Sequence, residues 1–211
     1  MLENGRLRGS IDQIELGFVG REATPEFLMM LSIQLHLSGL SLSNTVRVCE
    51  IFGVHRARST VHNWVHKADL QPESGKNPDH VAVDETVIQL NDEKYWLYAA
   101  VDAETNELLH TTLEPTRNTM IAQQFLTEIG EKHDVSEAVF LVDGAQSLQA
   151  ACHRAGYDFR YEKHGNRNAV ERVFREIKRR TICFSNCFSN ATAETANDWI
   201  RAFSFAWNQL I

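Results

Sequence analysis

The chain has 211 residues, 43% of them hydrophobic and 23% charged, with a formal net charge of −7. That is the composition of an ordinary globular protein of one or two domains, and it excludes a disordered or collagen-like chain. No run of about 18 apolar residues is present, so no membrane span is expected. The opening MLENGRLRGSIDQIELGF has no basic segment leading into an apolar one, so a secretory signal is not expected and a cytoplasmic location is.

PEFLMMLSIQLHLSG (25–39) reads as a helix that Pro25 opens and Gly39 ends, with Phe27, Leu28, Leu31 and Leu35 on one stripe. SLSNTVRVCEIFG (41–53) is a second helix, capped by Ser41 or Ser43, with Val46 and Cys49 on one face and a stop at Gly53. VHRARSTVHNWVHKADL (54–70) supplies a third, with Val61, Trp64, Val65 and Ala68 at helical spacing. A helix, a Gly turn and a helix carrying Arg58, Asn63 and Lys67 is the helix-turn-helix pattern, in which the second helix enters the DNA major groove. A plain three-helix bundle fits these residues too. QPESGKNPDH (71–80) has the composition of a linker, which divides the chain near residue 75.

Beyond the linker the period changes. HVAVDETVIQL (80–90), KYWLYAAVD (94–102) and ETNELLHTTLE (104–114) read as three antiparallel strands joined by polar turns. NTMIAQQFLTEIGEKH (118–133) is a helix capped by Asn118, with Ile121, Phe125, Leu126 and Ile129 inward. Val139 to Val142 form a short buried strand ending at Asp143-Gly144. A helix over about 147–155, a strand in DFRYE (158–162), the helix NAVERVFREIKRR (168–180) and a last helix from Ala191 follow. Strands, helix, strand, helix, strand, helices describe an α/β fold with a ribonuclease H-like mixed sheet, preceded by a small all-α domain. The expected division is 1–75 and 76–211.

Charge is unevenly placed. Residues 81–153 hold 13 Asp and Glu against 3 Lys and Arg, whereas residues 154–180 hold 9 Lys and Arg against 4 Asp and Glu. A basic strip beside an acidic block fits a polyanion lying next to carboxylates that hold cations, although a solvated acidic face and a solvated basic helix would look the same. Three carboxylates stand out by position. Asp84 interrupts what reads as the apolar side of its strand (Val81, Val83, Val87), Asp143 ends a buried strand, and Glu171 opens the basic helix. A buried carboxylate is costly unless paired or bound to a metal, and hard divalent cations take oxygen ligands. Each residue alone also reads as a turn, a cap or a helix-dipole partner.

HVAVDET, FLVDGA and NAVERVFREIKRR, in that order, resemble the three catalytic blocks of the DDE transposases of insertion sequences, closest to the IS-six family. GVHRARSTVHNWV resembles that family's helix-turn-helix, so the likeness runs over about residues 23–211. The interval of 28 positions from Asp143 to Glu171 is shorter than the family's usual spacing. The resemblance implies a magnesium-dependent polynucleotidyl transferase that cuts DNA at the element ends and joins the 3′-hydroxyls to target DNA. It implies two Mg²⁺ ions (Mn²⁺ able to substitute) held by Asp84, Asp143 and Glu171. Lys178, Arg175 and Arg167 would contact DNA, as would Arg58, Asn63 and Lys67. Double-stranded DNA and a homodimer or higher oligomer are the implied partners. Two other functions stay open at this point, a non-catalytic helix-turn-helix regulator and another ribonuclease H-like nuclease.

Other residues have weaker readings. Glu85 should point away from Asp84 and is read as supporting or surface. His62 and His66 have metal spacing without an evident third ligand. Arg117-Asn118 either touch DNA or cap a helix, and Trp199, Phe203 and Trp207 read as packing or a dimer face. Cys183 and Cys187 could lie a helical turn apart, but packed thiols are favoured, and four scattered cysteines fit a reducing compartment.

Overall fold

A computed structural model describes residues 11–19, 23–162, 165, 168–181, 188 and 191–211. The chain forms two compact units, Met1–Gln71 with Asp198–Ile211, and Pro72–Asn197. The sequence division at residue 75 had assigned all of 76–211 to one domain, whereas here residues 198–211 group with the N-terminal helices.

The first unit holds α1 (Glu26–Leu37), α2 (Leu42–Ile51) and α3 (Arg58–Lys67). Pro25 is the N-cap of α1. Its buried face runs through Leu28, Met29, Ser32, Ile33, His36 and Leu37, while Phe27 is 52% exposed and Leu31 and Leu35 are half-buried. This corrects the stripe expected from sequence. The helix is apolar nearly all round, so its periodicity has too little contrast to name the inward face. Ser41 caps α2 by accepting from the Asn44 amide at 3.2 Å. Gly53 adopts φ +74° just past α2, with its amide on the Glu50 carbonyl, a left-handed stop that suits glycine. Val61, Trp64 and Val65 are the buried residues of α3.

The second unit is built on β1 (His80–Leu90), β2 (Glu93–Asp102), β3 (Leu108–Glu114), β4 (Val139–Val142) and β5 (Phe159–Tyr161), in the order β3-β2-β1-β4-β5. β1 to β3 are antiparallel, and β4 and β5 run parallel to β1. That mixed order is the ribonuclease H-like arrangement. Asn91 (φ 52°) and Asn106 (φ 64°) turn the two hairpins, and Asp102 Oδ1 accepts from the Glu104 and Thr105 amides in the second. Helices α4 (Thr119–Lys132) and α5 (Gln146–Ala155) lie on one face over Val81, Val83, Tyr98, Phe140 and Val142. On β1 and β2 also packs α6 (Asn168–Thr181), which buries Val170, Val173, Phe174 and Ile177 and leaves Arg172, Arg175 and Arg179 exposed. Asn118 caps α4, accepting from the Ile121 amide at 3.0 Å. The last helix is α7 (Ala193–Leu210). Among the described residues no helix is long and apolar enough to cross a membrane.

Two buried histidines are built to be neutral. His36 Nδ1 lies 2.9 Å from the Leu40 carbonyl oxygen, and its Nε2 accepts from the Trp199 indole at 3.3 Å. His133 Nδ1 accepts from the Lys76 amide at 3.3 Å, and its Nε2 lies 3.0 Å from the Leu109 carbonyl. Each ring therefore uses one nitrogen as acceptor and one as donor, which the imidazolium cannot do. Burial is the main force holding both below the ordinary histidine value of 6.5. The unfolded chain thus binds more protons than the folded one as pH falls through 6.5, and stability is lost on that side. Thermal melts from pH 8 to pH 5 should show a falling midpoint below pH 6.5. His133→Gln should flatten part of that dependence, and equal slopes in wild type and variant would remove His133 from the account.

Candidate active site

Strand alternation decides where the first carboxylate points. Val81 and Val83 face α4 and α5, so Asp84, with Ala82, belongs to the other face. This corrects the reading that Asp84 interrupts the Val81–Val83 side. Both faces of this central strand are buried, so its run of apolar residues does not reveal which side a polar one takes. The Glu85 amide donates to Asp84 Oδ1 at 2.9 Å.

Asp84, Glu85, Thr86, Glu171, Phe174, Arg175 and Lys178 together line one cavity of about 380 Å³. Glu171, Phe174, Arg175 and Lys178 recur at three and four residue steps along α6, which is why they share one face of the helix. Lys178 Nζ donates to Thr86 Oγ1 at 2.7 Å. Glu176 turns instead to Arg179 and Arg180, the latter at 2.9 Å. The Arg179 hydrogen bond, with the charge of Arg180, holds the Glu176 carboxyl below the usual range. Arg172 donates to Asn106 in the β2–β3 turn.

Asp143 leaves the sheet from the strand beside Asp84. The parallel register ends at Ala82↔Leu141, so Asp84 and Asp143 each follow the last pair by two residues. Asp143 Oδ1 accepts from the Ala145 amide at 2.7 Å, and its carbonyl accepts from Gln149 at 3.0 Å. It does not line the cavity of Asp84 and Glu171. Among the described residues no three His, Cys, Asp or Glu side chains stand close enough together to hold a metal ion. The donor chemistry nevertheless suits Mg²⁺, which is held by as few as one or two carboxylates with waters and substrate phosphate completing the shell. Asp84 and Glu171 present that pair to one cavity.

The opposite face holds Glu85. Its side chain is 3% exposed and pairs with Arg117 at 2.8 Å, and Arg117 lies 5.1 Å over the Trp96 ring. Burial and the Glu85 charge push the Tyr98 hydroxyl up to about 12. Glu85 is therefore opposite to Asp84, as alternation required, but buried rather than on the surface. Arg117 is committed to it, and Asn118 to its cap.

Of the residues read as DNA contacts on α3, Arg58, Asn63 and Lys67 are all exposed, and Lys67 lies 5.3 Å from the Phe18 ring. Arg167 lies outside the described residues, as do Cys183 and Cys187. Cys49 and Cys152 are free and buried, and burial pushes the Cys152 thiol up to about 12. The His62 and His66 rings are 4.4 Å apart, with Asp198 at 3.6 Å from His66. Trp199 and Phe203 are buried and stack at 5.8 Å, so they pack rather than meet bases. Thr86 is the site residue that sequence reasoning missed. Its signal was the two-residue step from Asp84 on one strand face.

A family model described as a DDE domain, that of IS240-type transposases, matches residues 79–209. An uncharacterized protein of Methanocaldococcus jannaschii is 31% identical over 155 residues, which is 72% of this chain and 72% of that protein. Among solved structures, the catalytic core domain of BIV integrase is 16% identical with TM-score 0.43, covering 59% of this chain and 80% of that one. The catalytic domain of Mos1 mariner transposase is 15% identical with TM-score 0.43, covering 85% and 87%. The family match spans well over half the chain and takes in the cavity residues of β1 and α6, so this chain belongs to the DDE transposases of the IS-six type, a family of metal-dependent polynucleotidyl transferases.

Proposed function

We propose that this transposase cuts DNA at the ends of its insertion sequence and joins the freed 3′-hydroxyls to target DNA, using Asp84, Asp143 and Glu171 to hold two Mg²⁺ ions, for which Mn²⁺ can substitute. The observation that carries this reading is one cavity in which carboxylates from β1 and α6 meet the cations Arg175 and Lys178. Asp84, Asp143 and Glu171 would hold the metal pair, which when bound would supply activation of the attacking oxygen and stabilisation of the leaving one. The chain's own part is positional. Asp84 is fixed from a buried strand, and Glu171 comes from a helix anchored by Val170, Val173 and Ile177. Arg175 and Lys178 neutralise the phosphates that flank the scissile one, each phosphate contact adding a salt slope of about −0.9. Arg167 would extend this contact along the strand. The helical unit reads the ends through Arg58, Asn63 and Lys67, and the enzyme works on double-stranded DNA in the cytoplasm as a homodimer or higher oligomer.

The test is incubation of the full chain with Mg²⁺ and DNA carrying candidate element ends, beside scrambled ends, with gel analysis of cut and joined strands. Joined product from the true ends alone, lost with chelator, is the expected result. Cleavage without end preference would move the function to a general nuclease, and binding without cleavage to a regulator. In the same assay Asn63→Ala should lower the preference for true ends by about 1–3 kcal/mol, the value of one bidentate adenine contact. An unchanged preference would place recognition elsewhere.

A further inference from the structure

We propose that Thr86 is a positioning residue of the active site, which stations the Lys178 ammonium at the cavity and turns its own hydroxyl proton toward a DNA phosphate. The inference rests on reading Lys178 as a phosphate contact. Thr86 follows Asp84 by two residues on β1, so both side chains take the same face. It lines the same cavity as Asp84, Glu171 and Arg175. Across 92 residues of sequence, Lys178 Nζ reaches Thr86 Oγ1 at 2.7 Å.

A lysine ammonium rides on a flexible four-carbon stem, and by itself it samples many positions above a surface. A hydrogen bond to a charged donor is short and about twice as strong as a neutral one, which narrows that sampling. Threonine suits the partner role because branching at Cβ restricts χ1 and so presets the direction of the hydroxyl. A hydroxyl has one proton to give and two lone pairs. When one lone pair takes the lysine proton, the O–H remains to donate. A phosphate oxygen drawn to Lys178 falls within reach of the same hydroxyl. Threonine and lysine would then grip one phosphate as a unit, from a strand and a helix that each carry one of the carboxylates.

A double-mutant cycle on the full chain tests this, with Thr86→Val, Lys178→Ala and the double variant. Joining rate and salt-dependent DNA affinity are measured for each, and folding is checked by circular dichroism. Valine keeps the volume and branching that a strand favours. Thr86→Val should lower joining about tenfold, the usual weight of a hydrogen bond to a charged group. Lys178→Ala should lower joining and flatten the salt slope by about one unit. The double variant should be much less impaired than the product of the two single effects, because the threonine and the lysine grip one phosphate as a unit. Thr86→Ser, which keeps the hydroxyl, should restore most of the rate. Multiplying effects of the two single variants, or a Thr86→Val enzyme with the wild-type rate, would overturn the coupling while leaving Lys178 as a phosphate contact. Failure of Thr86→Ser to recover would equally overturn it, by assigning the loss to packing. A Lys178→Ala enzyme with unchanged slope and rate would overturn the parent reading of Lys178 and this inference together.

Discussion

Asp84→Asn should reduce strand joining by about three orders of magnitude or more while the protein stays folded and binds DNA. A metal at such a site supplies several kcal/mol of transition-state stabilisation, and each 1.36 kcal/mol is a factor of ten. Asparagine has the shape of aspartate and keeps an oxygen to accept the Glu85 amide now bound at 2.9 Å. What it removes is the charge. Glu171→Gln should behave in the same way, because its carboxylate enters the same cavity from α6. Asp143→Asn is the most informative of the set, since its oxygen also holds the Ala145 amide at 2.7 Å. Asparagine preserves that turn, so a loss of joining would report the charge alone. Joining is followed on gels, DNA binding by filter retention and folding by thermal melt. A variant with the wild-type joining rate removes its residue from the site.

Trp64→Ala should unfold the helical unit and abolish end-specific binding. Trp64 is fully buried on α3, between Val61 and Val65. Deleting an aromatic of this size from a core costs about 3–5 kcal/mol. A unit of this size has little stability in reserve, so the loss removes most of it. The unit of residues 72–197 has its own buried cluster around Phe125 and Phe140, and its melting transition should persist. Trp64→Phe makes a sharper comparison. The indole nitrogen has no hydrogen-bond partner among the described residues, so phenylalanine loses volume but breaks no bond. It should cost far less than alanine. Calorimetry should show the first transition lost in Trp64→Ala and merely shifted in Trp64→Phe. A single unshifted profile for Trp64→Ala would refute the placement of this residue as the keystone of the unit. Fragments designed on the helical unit should carry residues 198–211 as well as 1–71, because the Trp199 indole donates to buried His36.

The sequence by itself determined the elements and their order, down to the Asn118 cap, the Gly53 stop and the spans of β1 and β4, and it left Ser41 and Ser43 as alternative caps of α2. These are set by neighbours within a few residues, where caps, turn residues and hydrophobic period act directly. It also determined the ordered carboxylates and the shared face of Glu171, Arg175 and Lys178, because helical geometry follows from spacing alone. Only the tertiary structure decided which side of the sheet Asp84 takes, since a strand covered on both faces has no polar side to mark its orientation. Only tertiary structure showed that Glu85 is buried against Arg117, that Lys178 meets Thr86, and that residues 198–211 join the N-terminal helices. Each of these joins residues far apart in the chain. Strand register and helix docking bring such pairs together, and register is fixed by the packing of the whole sheet rather than by any local run of residues.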